Sequence, residues 1–146
     1  MKSKIFMIRK QNIDVDLVLL LVRIILGAAF ILHGWGKIQH PFNWMGPDAA
    51  VPGIFQLLAA ISEFVGGGAL IVGFLTRIGA FGIGCTMTVA FILHCFILGD
   101  PFVNLTGGSS FEPAIVYLTI AFLFMIMGPG RFSLDRIMFG INNQRT

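Results

Sequence analysis

The sequence predicts an all-α membrane protein: an antiparallel bundle of four transmembrane helices followed by a short C-terminal interfacial helix. Three observations carry this. The 146 residues are 56% hydrophobic and only 12% charged, too apolar for a soluble domain of this size. The apolar residues gather into four runs, and a spanning helix needs about 20 such residues. The charges sit mostly at the ends of those runs, as topology signals do. Residues 1–146 therefore read as one membrane domain, with no separate module large enough to bury a core. The net charge of +3 comes from these flanking positions, so the expected partner is the lipid bilayer and not nucleic acid.

The first helix is expected over residues 16–38. Residues 1–14 form a basic, polar arm, and Asp14 or Asp16 suits the helix N-terminus, where an acid meets the positive end of the dipole. The run is not read as a signal peptide. Arg23 interrupts it, and no small-x-small cleavage site follows. Arg23, Gly27, Phe30, Gly34 and Lys37 recur at spacings of 4, 3, 4 and 3, which places them on one face. The two glycines let another backbone approach that face closely. Residues 39–52 hold Pro41, Pro47 and Pro52, which prevent a continued helix, and Trp35 and Trp44 suit the membrane interface.

The second helix is expected over 53–75. It carries a single acid, Glu63, which shares a face with Gly67 and Leu70. A tight turn at Phe74–Arg77 leads into the third helix, 78–98, where Met87, Ala90 and His94 share a face. Cys85 and Cys95 on this helix are about 15 Å apart, too far to pair, and read as buried, inert thiols. Residues 99–112 are rich in turn formers. Pro113 suits the first position of the fourth helix, 113–127, and Glu112 its dipole. Gly128-Pro129-Gly130 stops that helix. Ser133 can then cap a short segment whose stripe of Leu134, Ile137, Met138 and Ile141, flanked by Arg131 and Arg136, suits the interface.

Lysine and arginine are concentrated in the N-terminal arm, the turn at Arg77 and the C-terminal tail. Positive-inside reasoning places both termini in the cytoplasm, and in a bacterium the membrane is the plasma (inner) membrane.

Charges inside an apolar run face a partner or a wet cavity. Counting ten residues down from His33 reaches Arg23, and ten from Gly53 reaches Glu63. Both lie about 15 Å below the outer ends, so an Arg23–Glu63 ion pair at mid-bilayer is expected. His33, Lys37, His94, Glu112 and Tyr117 gather nearer the outer face and predict a polar vestibule with that pair as its floor. Structural readings stand beside these: a lock between helices for the ion pair, headgroup-level polar tips for His33 and Lys37, a carbonyl-bonded helix end for His94, and dipole capping for Glu112. With no HExxH, CxxC or i, i+4 histidine pair, no metal site is expected.

These motifs resemble a family. Arg23-x3-Gly27-x2-Phe30-x2-His33-Gly34-x2-Lys37 is similar to the first-helix signature of DoxX proteins, which are small four-helix membrane proteins. Glu63-x2-Gly66-Gly67 with Gly73-x2-Thr76-Arg77 resembles the second, and Gly128–Asp135 resembles the closing motif. Gly107, Gly108 and Glu112 approximate the family's entry to the fourth helix, but two serines and Phe111 intervene. The resemblance spans about residues 17–140. It implies a subunit or accessory of a membrane redox system, at most an oxidoreductase subunit of the thiosulfate:quinone type. No cofactor is fixed by it, quinone being the candidate, and a redox subunit is the candidate partner; a second copy is the partner that a transporter reading would need. Thiosulfate oxidation is not carried over, because no residue marks a thiosulfate site. Two other functions stay open: a small-solute or proton transporter unit, and a structural or assembly protein whose charges only fix packing.

Overall fold

The computed structural model describes residues 11–139. Their regular structure is entirely helical: α1 (Ile13–Gln39), α2 (Gly53–Val72), α3 (Thr76–Ile92), α4 (Glu112–Met127) and the short α5 (Leu134–Phe139). A π-helical turn, Leu93–Ile97, extends α3. The segments Ile13–Gln39, Gly53–Val72 and Thr76–Ile97 are long and apolar enough to cross a membrane, while α4 is shorter at 16 residues.

Glycine sets the α1–α2 contact. A Cβ on Gly27 would lie 2.6 Å from Gly67 O, and one on Gly67 would lie 2.7 Å from Gly27 O. One turn-pair further, a Cβ on Gly34 would lie 2.7 Å from Phe64 N. Ascending residues of α1 thus meet descending residues of α2, so the two run antiparallel. The expected face of α1 is the buried one: Arg23, Gly27, Phe30 and Gly34 are buried with Leu19 and Leu26. Gly66 meets Gly79 across α2 and α3, and Gly84 faces Ala121 and Met125 across α3 and α4. The Phe30 and Tyr117 rings pack at a tilt with centroids 5.1 Å apart, bringing α4 against α1. Leu70, Ile83, Met87 and Phe124 fill the centre.

Helix boundaries depart from expectation where caps act. α1 begins at Ile13, before either aspartate, and its N-cap Asn12 makes no side-chain cap bond. Asp16 does not cap α1. It is buried and bonds the C-terminal loop instead. α2 stops at Val72 because Gly73 takes φ 69°. Gly73 N–H donates to Leu70 O and Phe74 N–H to Ala69 O, a Schellman closure. A side chain at Gly73 would also strike Ser133 Cβ at 2.6 Å. α4 starts one residue early, with Pro113 in its first turn as expected. Ser133 does cap α5: its Oγ accepts from Arg136 N–H at 3.3 Å. Leu134, Ile137 and Met138 are exposed on α5, and Ile141 lies outside the described residues. The thiols correct another expectation. Both are free, but Cys85 is exposed and Cys95 half-buried, because their positions on α3 turn away from the packed face of Ala80, Ile83 and Met87.

Candidate functional site

The residues expected to form one cluster do not come together as one. Arg23 does not meet Glu63. Arg23 is buried at 1% exposure, and all three of its side-chain nitrogens donate to main-chain oxygens. Nε donates to Leu70 O (2.8 Å), Nη1 to Pro129 O, and Nη2 to Ile71 O (3.2 Å) and Phe132 O (2.8 Å). Leu70 and Ile71 belong to the last turn of α2, where carbonyls lack the usual i+4 amide and Leu70 O takes only the cap N–H of Gly73, and a cation there also suits the negative end of the dipole.

Nearby, Asp135 does the converse for α3. Its two oxygens accept from Leu75 N–H (2.7 Å) and Thr76 N–H (3.0 Å), covering free amides at that helix start. The bond also holds Leu75 at φ 49°, unusual for a non-glycine residue. Asp16 accepts from Arg131 N–H at 2.8 Å and pairs with its Nε at 3.3 Å. Arg77 Nε donates to Met125 O at the end of α4. The closing motif at 128–135 is thus the tie for three helix ends. Gln11 completes the join of α1 to α4 by donating to Met127 O.

Glu63 is instead paired with Lys37, Nζ to Oε1 at 2.6 Å. Two elements place this pair. The lysine lies on the last turns of α1, and its ammonium sits 4.4 Å from the centroid of the Trp44 ring, a cation–π contact. Trp44 is fixed by Nε1–H donation to Gln56 O (3.0 Å), and the buried Gln56 side chain bonds Met45 N–H and Val51 O. The connection between α1 and α2 is therefore pinned to α2 beside the pair. Glu63 is 1% exposed, and its second oxygen, Oε2, has no hydrogen-bond partner among the described residues.

Beside this pair lies a cavity of about 480 Å³ between α2 and α3. Its walls are mainly apolar, including Phe55, Leu58, Ala59, Met87 and Val89, with Lys37, Glu63, Ser62 and Thr86 as polar members. Phe55, Leu58, Phe81, Cys85 and Val89 line it and are exposed on the outside of the helices, so the cavity opens sideways. An apolar pocket with a few convergent polar groups is the usual form of a small-molecule site.

A separate pair is at the π-helical turn. His94 Nδ1 is 2.6 Å from Asp100 Oδ2, and Ser109 Oγ donates to Asp100 Oδ1 at 2.9 Å. The His94 ring, then the Ser109 hydroxyl, hold the Asp100 carboxyl below the usual carboxylate range. His33 and Tyr117 face each other with ring centroids 6.1 Å apart. Glu112 is half-buried in the first turn of α4. Lys37 thus leaves His33, His94, Glu112 and Tyr117 for Glu63. No group of three metal-ligating side chains occurs among the described residues.

Sequence reasoning missed Trp44, Gln56, Asp100 and Asp135 as partners. Asp135 sits in the closing motif, and Asp100 is the acid nearest after His94; those two were the available signals.

A family model described as DoxX matches residues 18–95. The inner membrane protein YqjF of Escherichia coli (strain K12) is 36% identical over 133 residues, covering 84% of this chain and 93% of the relative. An uncharacterized protein of Haemophilus influenzae is 34% identical over 120 residues, covering 81% of this chain and 88% of the relative. No solved structure matches the chain. The spanning-length helices, the glycine-mediated contact of α1 with α2, and these matches agree: the chain is an integral membrane protein and belongs to the DoxX family.

Proposed function

We propose that this protein is a membrane subunit or accessory of a redox system and that it binds a quinone-class molecule in the cleft between α2 and α3. The observation that carries the reading is the sideways-opening apolar cavity of about 480 Å³ with a Lys37–Glu63 pair in its lining. Such a cleft offers a lipid-dissolved molecule an entry from the bilayer. Its walls suit a ring and tail, and Lys37 supplies a cationic donor for a ring oxygen. The redox role itself rests on family analogy.

The same reading takes the four helices as an antiparallel bundle in the inner membrane, with both termini on the cytoplasmic side, following the distribution of lysine and arginine. α5 then lies along the interface, its exposed Ile137 and Met138 toward acyl chains.

The test uses the full chain in nanodiscs on a Trp35→Phe background, so that Trp44 reports. Titration with decylubiquinone should quench Trp44 saturably, and Ala59→Phe, which fills the cavity, should abolish saturation. Quenching that rises linearly with membrane quinone and ignores Ala59→Phe would overturn the proposal.

A further inference from the structure

The geometry points to a hydroxyl-bearing ligand: the cavity between α2 and α3 selects an apolar molecule that donates a hydrogen bond to Glu63 over one that can only accept. This deepens the preceding reading and rests on the cavity being a ligand site. The two oxygens of the Glu63 carboxylate differ. Oε1 takes the Lys37 ammonium at 2.6 Å. Oε2 is buried and has no partner among the described residues. A buried polar atom without a hydrogen bond is costly, more so on a charged group, and a carboxylate can only accept. None of the side chains that line the cavity around Glu63, the Ser62 hydroxyl included, donates to Oε2. Thr86 Oγ1 donates to its own helix at Gly82 O, Gln56 is committed to Val51 O, and Phe55, Ala59, Met87 and Ala90 have no donor to give.

A ligand hydroxyl changes that balance. Donated to Oε2, it completes the carboxylate, while its own oxygen remains able to accept from the part-exposed Lys37. A carbonyl or ether oxygen can accept from Lys37 but leaves Oε2 as it was. The expected occupant is therefore a phenol- or alcohol-headed apolar molecule.

A matched pair of probes tests this: 4-hexylphenol and its methyl ether, which differ in the donor. Binding to the full chain in nanodiscs is read by Trp44 fluorescence on the Trp35→Phe background, with each probe expressed as its mole fraction in the membrane. The phenol should bind roughly tenfold tighter or more, the ratio expected for satisfying one buried charged acceptor. Infrared difference spectra should show a carboxylate stretch that shifts on adding the phenol and not the ether. Glu63→Gln should remove the preference, because Lys37 would hold the amide oxygen and leave the NH₂ where Oε2 stood. Equal affinities for the two probes, with both abolished by Ala59→Phe, would overturn the donor inference and leave the cavity a ligand site. Saturable binding of neither probe would overturn both readings. The wild-type comparison of phenol with ether decides the matter even if Glu63→Gln does not fold.

Discussion

The two ends of the α1–α2 hairpin each hold a buried ionised side chain, and they treat it in opposite ways. At one end Arg23 spends its N–H groups on four carbonyls from two segments of chain. At the other, Glu63 has one lysine and one bare oxygen beside a cavity. A fully bonded charge holds a structure together. A partly bonded one next to open volume is arranged for something else to arrive. The difference separates the residues that build the fold from those offered as its site, although all of them are charges in apolar helices.

Replacement at the saturated end should do the most damage. Arg23→Leu removes the guanidinium donors from the Leu70, Ile71, Pro129 and Phe132 carbonyls, of which Leu70 O keeps the Gly73 N–H, and should cost about 3 kcal/mol or more, seen as a large fall in the detergent unfolding midpoint. Arg23→Lys should recover little, since one ammonium cannot reproduce the planar fork. An unchanged midpoint in Arg23→Leu would erase the contrast.

The glycine contact between the two ends comes next. Gly27→Ala puts a Cβ within 2.6 Å of Gly67 O and of Ile71 Cγ1, and should cost about 1–3 kcal/mol through forced separation of α1 and α2. Gly68→Ala is the control: nothing lies within 4 Å of its Cβ, so it should stay within about 0.5 kcal/mol of wild type. Asp135→Ala uncovers two amides at the start of α3 and should cost about 1–2 kcal/mol, with faster hydrogen exchange at Leu75 and Thr76.

The double replacement Lys37→Met with Glu63→Leu sharpens the comparison most. Exchanging a buried pair for apolar side chains is often neutral, so stability should stay within about 1 kcal/mol while discrimination between phenol and ether disappears. A collapse as deep as that of Arg23→Leu would make both ends structural.

The smallest effect concerns Asp100. Its carboxyl is held low by His94 and Ser109. The stabilisation of the 99–111 connection is therefore present above the ordinary carboxylate range, about pH 4, and is lost as pH falls through the depressed value. Amide protection in this connection, corrected for the intrinsic pH dependence of exchange, should fall on acidification, and Asp100→Asn should flatten that dependence.

Most of the helical segments could be read from composition, because hydrocarbon imposes length and apolarity on any span. The packed face of α1 was legible from Arg23, Gly27, Phe30 and Gly34. The partners were not. Depth counted from His33 put Arg23 level with Glu63, yet α1 continues to Gln39. The Gly27–Gly67 contact gives the true register. Arg23 lies four residues to one side of it, opposite Ile71, and Glu63 lies four to the other, so the charges are about 12 Å apart along the axis. The Arg23 carbonyls were invisible because main-chain acceptors leave no mark in a sequence. Lys37 reaches Glu63 through a long flexible stem, which spacing alone does not reveal.

The carbonyls that hold Arg23 also impose an order on biogenesis. The acceptors of the first span arrive 47 and 48 residues after it, at Leu70 and Ile71, and then 106 and 109 residues after it, at Pro129 and Phe132. At roughly 5–20 residues per second of synthesis, the guanidinium waits several seconds for the second pair. A nascent chain halted before Gly128 would carry Arg23 half-satisfied, and quality-control proteases would meet the protein in that state.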